Sequence, residues 1–213
     1  MDPDTPEEWF KLAFDADDPE EKIEYFTLIL EHEDLDPELW SNEAIALVWN
    51  NKGIALSFLG LDEEALECFR RSIELYKSDI DVWCNMGVVM FNTGRYEDAI
   101  KCYSTVLTID PNNDDAWINK GDILEVMGKH NEAIDCYSKV HKEIELDNKF
   151  AVVWHKKGIS YFGLGRYDDA ANCFNRVLKI DPDHLDAVEK LKAAMVRTTK
   201  MNEDMKYSGT SYQ

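Results

Sequence analysis

Tryptophan recurs along this chain at a nearly constant interval, and this feature constrains the fold more than any other. The interval is 34, 34 and 37 residues between Trp49, Trp83, Trp117 and Trp154. Each tryptophan is followed four residues later by glycine and sixteen residues later by alanine. Four positions beyond each alanine stands an aromatic residue: Phe69, Tyr103, Tyr137 or Phe174. A period of this length predicts an array of similar structural units rather than one layered domain.

Each unit is predicted to contain two helices joined by a short turn. In one unit, the residues with helical spacing are Trp83, Met86, Gly87 and Met90, followed by Ala99, Cys102, Tyr103 and Val106. These spacings of three and four place each set on one side of a helix. The glycine and the alanine would let the two backbones approach closely, with the aromatic rings filling the ends. A single hairpin cannot bury its apolar face, so neighbouring units are expected to stack.

The repeated residues resemble the tetratricopeptide repeat family, which has a 34-residue period and a W-x2-L-G-x2-Y…A-x3-F…P pattern. The resemblance covers residues 46–184 as four repeats: 46–79, 80–113, 114–150 with a three-residue insertion, and 151–184. It implies an all-α fold, a right-handed superhelical α-solenoid of stacked antiparallel helix pairs. The chain departs from the pattern at Lys52, Lys120 and Lys157, where the family usually has leucine.

The flanking segments extend this organisation. Residues 1–45 are predicted to be an acidic N-terminal segment with a degenerate helix pair and the start of a long helix from Pro37 to Phe58. The insertion within residues 141–150 is expected to lengthen the second helix of its unit by about one turn. Residues 185–199 should form a C-terminal capping helix, and residues 200–213 a disordered tail.

The charge of the chain limits the classes of partner. There are 43 acidic and 23 basic residues, for a net charge of −20, and residues 1–45 alone contain sixteen acidic residues against two lysines. Nucleic acids and anionic membranes need a basic surface, so neither is expected as a partner. No apolar run is long enough for a membrane helix, and the chain does not start like a secretory signal. A cytoplasmic location is therefore expected.

No motif for catalysis, cofactor binding or metal binding is present in the sequence. Phosphate-binding glycine loops, CxxC pairs and HExxH are all missing. Four of the five cysteines recur with the repeat, which indicates a small core position: Cys68, Cys102, Cys136 and Cys173. The prediction is a protein that is not an enzyme and has no cofactor and no metal.

One face of each first helix is left unused by the tryptophan–glycine stripe. This first-helix face comprises the positions −2, +2, +5 and +9 from each repeat tryptophan. In the resembling family it lines a concave groove that binds an extended peptide or a helix. The candidate groove residues are Asn51, Ile54, Phe58, Asp81, Asn85, Val88, Asn92, Asp115, Asn119, Asp122, Lys156 and Ile159.

The column Asn51, Asn85 and Asn119 has two interpretations. A side-chain amide both donates and accepts hydrogen bonds, so the column could pair with a peptide backbone of any sequence. Alternatively, asparagine is simply the usual residue of the family at this position. The face has one basic residue, Lys156, so a clamp for carboxylates is not expected, and an acidic, apolar groove should prefer a basic or neutral partner with apolar anchors.

Three phenylalanines are candidate contacts for such anchors, or side chains that merely pack against a neighbouring helix: Phe58, Phe91 and Phe162. The sequence therefore predicts a non-catalytic scaffold or adaptor that binds a segment of a partner protein. The alternative is a structural subunit that self-associates weakly, through the solenoid ends or the acidic N-terminal segment.

Overall fold

The computed structural model describes residues 5–32, 35–140 and 148–209, and the regular structure in these ranges is α-helical. The chain divides into two compact units, Met1–Ile109 and Asp110–Gln213. The first unit contains α1 (Pro6–Asp15), α2 (Pro19–Glu31), α3 (Asn42–Phe58), α4 (Asp62–Leu75), α5 (Ile80–Asn92) and α6 (Tyr96–Ile109). The second contains α7 (Asp114–Val126), α8 (His130–Tyr137), α9 (Asn148–Gly163), α10 (Tyr167–Ile180) and α11 (Leu185–Gly209).

Within each unit, a helix packs chiefly against the helices before and after it in the chain. The predicted repeats appear as the hairpins α3–α4 and α5–α6 in the first unit, and α7–α8 and α9–α10 in the second. The turns inside these hairpins are short, which makes the paired helices antiparallel. Helices stacked in sequence order bury a continuous apolar face that no single hairpin could bury.

A glycine with positive φ closes the turn of each of these four hairpins. In α5–α6 it is Gly94, with φ of 75°, and the next residue, Arg95, donates its N–H to the carbonyl of Met90 at 2.8 Å. The Gly94 N–H is bonded to the carbonyl of Phe91 at 3.0 Å. This pairing satisfies carbonyls that the end of α5 would otherwise leave without a partner. Glycine adopts the left-handed conformation without the steric penalty that a Cβ brings.

The repeat glycines lie against the aromatic rings of the second helices. A Cβ built on Gly87 would lie 2.9 Å from ring atoms of Tyr103, and one on Gly121 would lie 2.5 Å from the ring of Tyr137. The rings were expected to fill the ends of the hairpin, and the structure shows that each of these two rings also covers the glycine itself. The repeat alanines, such as Ala99, are fully buried beside this contact.

Helix α3 begins later than the sequence indicated. The predicted long helix from Pro37 is wrong, because residues 37–39 form a turn and α3 starts at Asn42. The Asp36 carbonyl accepts from the N–H of Trp40 at 2.8 Å, and the Ser41 hydroxyl accepts from the N–H of Ala44 at 3.3 Å. Ser41 thus caps a new helix, while the indole of Trp40 donates to Glu7 at 2.8 Å and ties the turn to α1.

Two further helix ends differ from expectation. Helix α8 is not extended by the insertion but ends at Tyr137, where the Ser138 hydroxyl donates to the carbonyl of Ile134 at 2.6 Å. The three-residue insertion falls within residues 141–150, of which residues 141–147 lie outside the described residues, and α9 begins at Asn148. The tail expected to be disordered from residue 200 is helical to Gly209, because residues 200–208 contain no helix breaker. Residues 210–213 lie outside the described part of the chain.

Candidate functional site

The first-helix face of the first unit presents amides that are already partly engaged. The Asn51 amide donates to the carbonyl of Leu47 at 2.8 Å on its own helix. The Asn85 amide donates to Oδ1 of Asn50 at 3.1 Å, and Asn50 is only 5% exposed. Each amide group has two N–H bonds and one carbonyl, so these contacts orient the side chains and leave capacity for a further partner.

Apolar side chains on the same face are exposed to solvent. Phe58 is 79% exposed and Val88 is 45% exposed, while Ile54 is half-buried. Asp81 and Asn92 lie at the two ends of α5 and are both exposed. Covering the ring of Phe58 with an apolar group of a partner would remove this surface from water, which is favourable.

A pocket of about 290 Å³ is lined by α3 together with residues of α1 and α2. Its lining is mostly apolar: Ala13, Phe14, Pro19, Phe26, Ile54, Ala55 and Phe58, with Asp17, Lys22 and Asn51 as the polar members. Three predicted groove residues, Asn51, Ile54 and Phe58, thus meet in one concavity. Its volume is at the lower end of the range for ligand pockets, which suits a few side chains.

Helices α1 and α2 supply half of this pocket, and sequence reasoning did not assign them a role there. The ring of Phe14 is 6.0 Å from the ring of Phe26 and 4.8 Å from that of Phe10. The signal that could have found this contribution is the density of aromatic residues in an otherwise acidic segment. Phe10 and Phe26 also belong to the core formed with α3, so these rings both stabilise the helix pair and border the pocket.

In the second unit, an ion pair occupies the first-helix face. Lys156 of α9 lies 2.8 Å from the carboxylate of Asp122 in α7, and each side chain is less than one-third exposed, at 29% and 28%. The hydroxyl of the buried Tyr137 has one proton to donate, and it lies 2.9 Å from the same carboxylate and 3.2 Å from that of Glu125. Burial and these two carboxylates raise the pKa of Tyr137. The lone predicted basic residue of the groove is therefore neutralised by one of its predicted acidic residues.

The remaining predicted residues of this unit are spread along the same helices. Asp115 is exposed at the start of α7, Asn119 is half-buried, and Ile159 packs against the core of the unit. Val126 and Val152, which share the face, are 57% and 48% exposed. The face in this unit therefore combines exposed apolar side chains with the exposed carboxylate of Asp115 and the Asp122–Lys156 ion pair.

Two of the three candidate anchor phenylalanines pack within their own hairpins. Phe91 is half-buried against Tyr96, with ring centroids 5.7 Å apart, and Phe162 is half-buried against Tyr167 at 5.1 Å. Their contacts favour the packing interpretation. Phe58, with its ring in solvent at the pocket, remains the candidate anchor contact.

The periodic cysteines occupy the core, as their spacing indicated. Cys68, Cys102, Cys136 and Cys173 are buried, and Cys84 is half-buried. Burial raises the pKa of Cys102, Cys136 and Cys173 to about 11. In the described ranges, no His, Cys, Asp and Glu side chains are grouped for a metal ion. None of the helices described has the length and apolar character needed to cross a membrane.

Models of the tetratricopeptide repeat family match residues 46–79, 80–113, 102–135 and 151–184, together more than half of the chain. No curated protein sequence gives a significant match.

Among solved structures, a tetratricopeptide repeat protein from Parabacteroides merdae superimposes with a TM-score of 0.76 at 18% identity, covering 94% of this chain and 76% of that one. MamA from Desulfovibrio magneticus RS-1 gives 0.61 at 22% identity, covering 78% and 97%. YrrB, described as a TPR protein with an unusual peptide-binding site, gives 0.68 at 18% identity, covering 87% and 91%.

These structural likenesses show the fold, and the family models agree with it. The expected all-α solenoid is confirmed, and this fold is typically a non-enzymatic scaffold. The chain belongs to the tetratricopeptide repeat family, whose repeats serve as scaffolds for protein–protein interaction.

Proposed function

We propose that the chain is an adaptor that binds a basic or neutral segment of a partner protein on the first-helix face. The observation that carries this proposal is the apolar pocket in which Asn51, Ile54 and Phe58 meet. An apolar side chain of the segment enters the pocket, and the neighbouring amides of Asn51 and Asn85 bond to its backbone. YrrB is a protein of the same fold with a peptide-binding site, which supports this kind of ligand.

Charge selects the segment. Asp17 lies in the pocket lining together with one basic residue, Lys22, and Asp81 and Asp115 are exposed on the first-helix faces of their units. Asp122 contributes less than the sequence indicated, since Lys156 already lies 2.8 Å from it. Basic residues beside the apolar anchor would therefore gain attraction chiefly near the pocket, while an acidic segment would be repelled.

The test uses two synthetic peptides with the same central leucine, one flanked by lysines and the other by glutamates. The lysine peptide should bind more tightly, and its affinity should fall between about 0.05 M and about 0.5 M salt, because exposed charge pairs are screened. Phe58→Ala should weaken binding by about 2 kcal/mol, as for an aromatic hot spot. Asn85→Ala should cost about 0.5–1.5 kcal/mol for a lost neutral hydrogen bond.

Ile109→Ala is the matched control, because Ile109 is 39% exposed at the end of α6 and lies off the first-helix face. It should bind as the parent does. Equal affinity of the parent for the two peptides would contradict the proposed preference for basic segments. An unchanged affinity of the Phe58→Ala variant for the lysine peptide would show that the pocket is not the binding site.

A further inference from the structure

The outer face of α11 is apolar and basic, and in the described structure nothing covers it. Lys192, Met195, Val196, Thr199 and Lys200 are separated by steps of three and one, so they lie on one side of the helix. Met195 is 59% exposed and Val196 is 67% exposed. The opposite side of α11 packs into its own unit through Ala187 and Ala194, which are fully buried.

The patch is about two turns long. From Lys192 to Lys200 the helix rises about 12 Å. Glu189 and Glu203 lie on the same side one turn beyond each lysine, so the two lysines directly flank the apolar pair and the glutamates lie outside it. Glu203 and Asp204 border the same depression as Met195, Val196 and Lys200. The charges nearest to the apolar pair are therefore the two lysines, and the carboxylates lie beyond them.

The pocket of the first unit has the complementary character. Its lining is mostly apolar, with Phe14, Phe26 and Phe58, and its charged members are Asp17 and Lys22. Residues 15–21 carry five carboxylates and no basic residue, and Lys22 follows them. Asp15, Asp17 and Glu20 are all exposed. An apolar side chain flanked by lysines fits such a site better than one flanked by carboxylates.

We propose that α11 of one copy docks against the pocket formed by α1, α2 and α3 of a second copy. Met195 and Val196 enter the pocket beside Phe58, and Lys192 and Lys200 face the acidic residues 15–21. The contact joins two different surfaces, so it is heterologous and builds open chains or a closed ring of copies. This inference rests on the proposed function in one respect, because it uses the same pocket.

The contact removes two exposed apolar surfaces from water at once, one on each copy. A foreign segment would cover the pocket and leave the α11 face exposed. Both surfaces are on one chain, with lysines next to the apolar pair of α11 and an excess of carboxylates in residues 15–21 next to the pocket. This combination favours a second copy as the occupant.

The test is sedimentation velocity of the full chain over a range of concentrations, with circular dichroism to establish that each variant is folded. The parent should show a sedimentation coefficient that rises with concentration. Phe58→Ser damages the pocket and Val196→Glu damages the helix face, and both residues are exposed, so neither change disturbs the core. Each variant alone should remain a monomer at concentrations where the parent associates.

Mixing the two variants is the decisive measurement. The intact α11 of Phe58→Ser can dock into the intact pocket of Val196→Glu, so the mixture should form one-to-one dimers and nothing larger. Leu39→Ser is the control for replacing an exposed apolar side chain by a polar one, because Leu39 is 62% exposed and lines neither surface. It should associate like the parent, and higher salt should weaken association in both.

A parent that stays monomeric at all concentrations, or a mixture that stays monomeric when the parent associates, would overturn the inference. Equal association of all variants would overturn it as well. Val196→Glu retains the pocket, so it should still bind the lysine peptide. If the parent binds the lysine peptide but does not self-associate, this inference alone is contradicted. If the parent neither binds the peptide nor self-associates, the proposed function is contradicted as well.

Discussion

Three lysines that replace the leucine of the family pattern contact the tryptophans of their own repeats. The Nζ atoms of Lys52, Lys120 and Lys157 lie 5.7, 5.8 and 5.3 Å from the ring centroids of Trp49, Trp117 and Trp154. The aliphatic stem can cover the ring as leucine would, while the ammonium group stays in water and is attracted to the ring face. This departure from the pattern is therefore compatible with the packing of the repeat.

The glycine–ring contact gives a prediction at the scale of one residue. Gly87→Ala should lower the free energy of unfolding by about 1–2 kcal/mol, because the new Cβ would lie 2.9 Å from the ring of Tyr103. Alanine in a helix would by itself be favoured by about 0.5–1 kcal/mol, so a net loss means that the crowding is the larger effect. Chemical denaturation measures the change.

Val88→Ala is the matched control for this substitution. Val88 is adjacent on the same helix and 45% exposed, so its truncation should stay within about 0.5 kcal/mol of the parent. If Gly87→Ala were as stable as Val88→Ala, the ring could not be what requires glycine at this position.

At the scale of the helix, the first helices of the repeats begin differently from the second helices. Asp79 caps α5 by accepting from the N–H groups of Asp81 and Val82 at 3.0 and 3.4 Å, and Asn113 caps α7 by accepting from the N–H of Ala116 at 2.9 Å. Lys129, before α8, makes no such side-chain bond. The second helix follows directly after the short hairpin turn, and the turn determines where this helix begins without a side-chain cap.

This difference predicts unequal effects of two alanine substitutions. Asp79→Ala should cost about 0.5–2 kcal/mol of stability, the usual effect of losing a helix cap. Lys129→Ala should change stability by less than about 0.5 kcal/mol. Thermal or urea denaturation of both variants measures this, and equal losses would show that the Asp79 carboxylate does not act as a cap.

Helix phase could be predicted from the sequence, whereas helix ends could not. Tryptophan, glycine and alanine recur once in each repeat. Their spacing alone therefore predicts which side of each helix faces the core. The ends depend on contacts over longer distances, as when Trp40 bonds to Glu7 and separates the turn at residues 37–39 from α3. Likewise, Lys157 of α9 donates to the Ser138 hydroxyl at 2.8 Å, where α8 has just ended.

The candidate site was predictable to the same extent. The periodicity identified the first-helix face, and the structure places Phe58 and Val88 on it with high exposure. The pocket depends on where α1 and α2 pack, and those helices lack the repeat pattern. The Asp122–Lys156 pair depends on the stagger between α7 and α9, which the period alone does not define.

At the scale of the whole molecule, the buried thiols predict a loss of stability in alkali. An unfolded thiol ionises near pH 9, whereas Cys102, Cys136 and Cys173 have a folded pKa of about 11. Their stabilising contribution is complete below pH 9 and is lost as the pH rises through 11, with a slope of at most about 1.4 kcal/mol per pH unit for each thiol.

The measurement is urea denaturation at several values between pH 8 and pH 11, for the parent and for Cys136→Ala with Cys173→Ala. The double variant starts from lower stability, because each substitution leaves a small cavity, but its stability should fall less steeply with pH. Tyr137 also has a raised pKa and is present in both proteins, so the difference in slope isolates the thiols. Parallel curves would contradict the prediction.

The indole groups of two repeat tryptophans make the same bond to the turn that precedes their helix. Trp83 donates to the carbonyl of Lys77 and Trp117 to that of Pro111, each at 3.0 Å. A local opening of either turn would break this bond and expose the ring to bulk water. Indole emission shifts to longer wavelength when that happens, so the chain carries an intrinsic fluorescent reporter at two of its turns, and single-tryptophan variants would show which turn opens first.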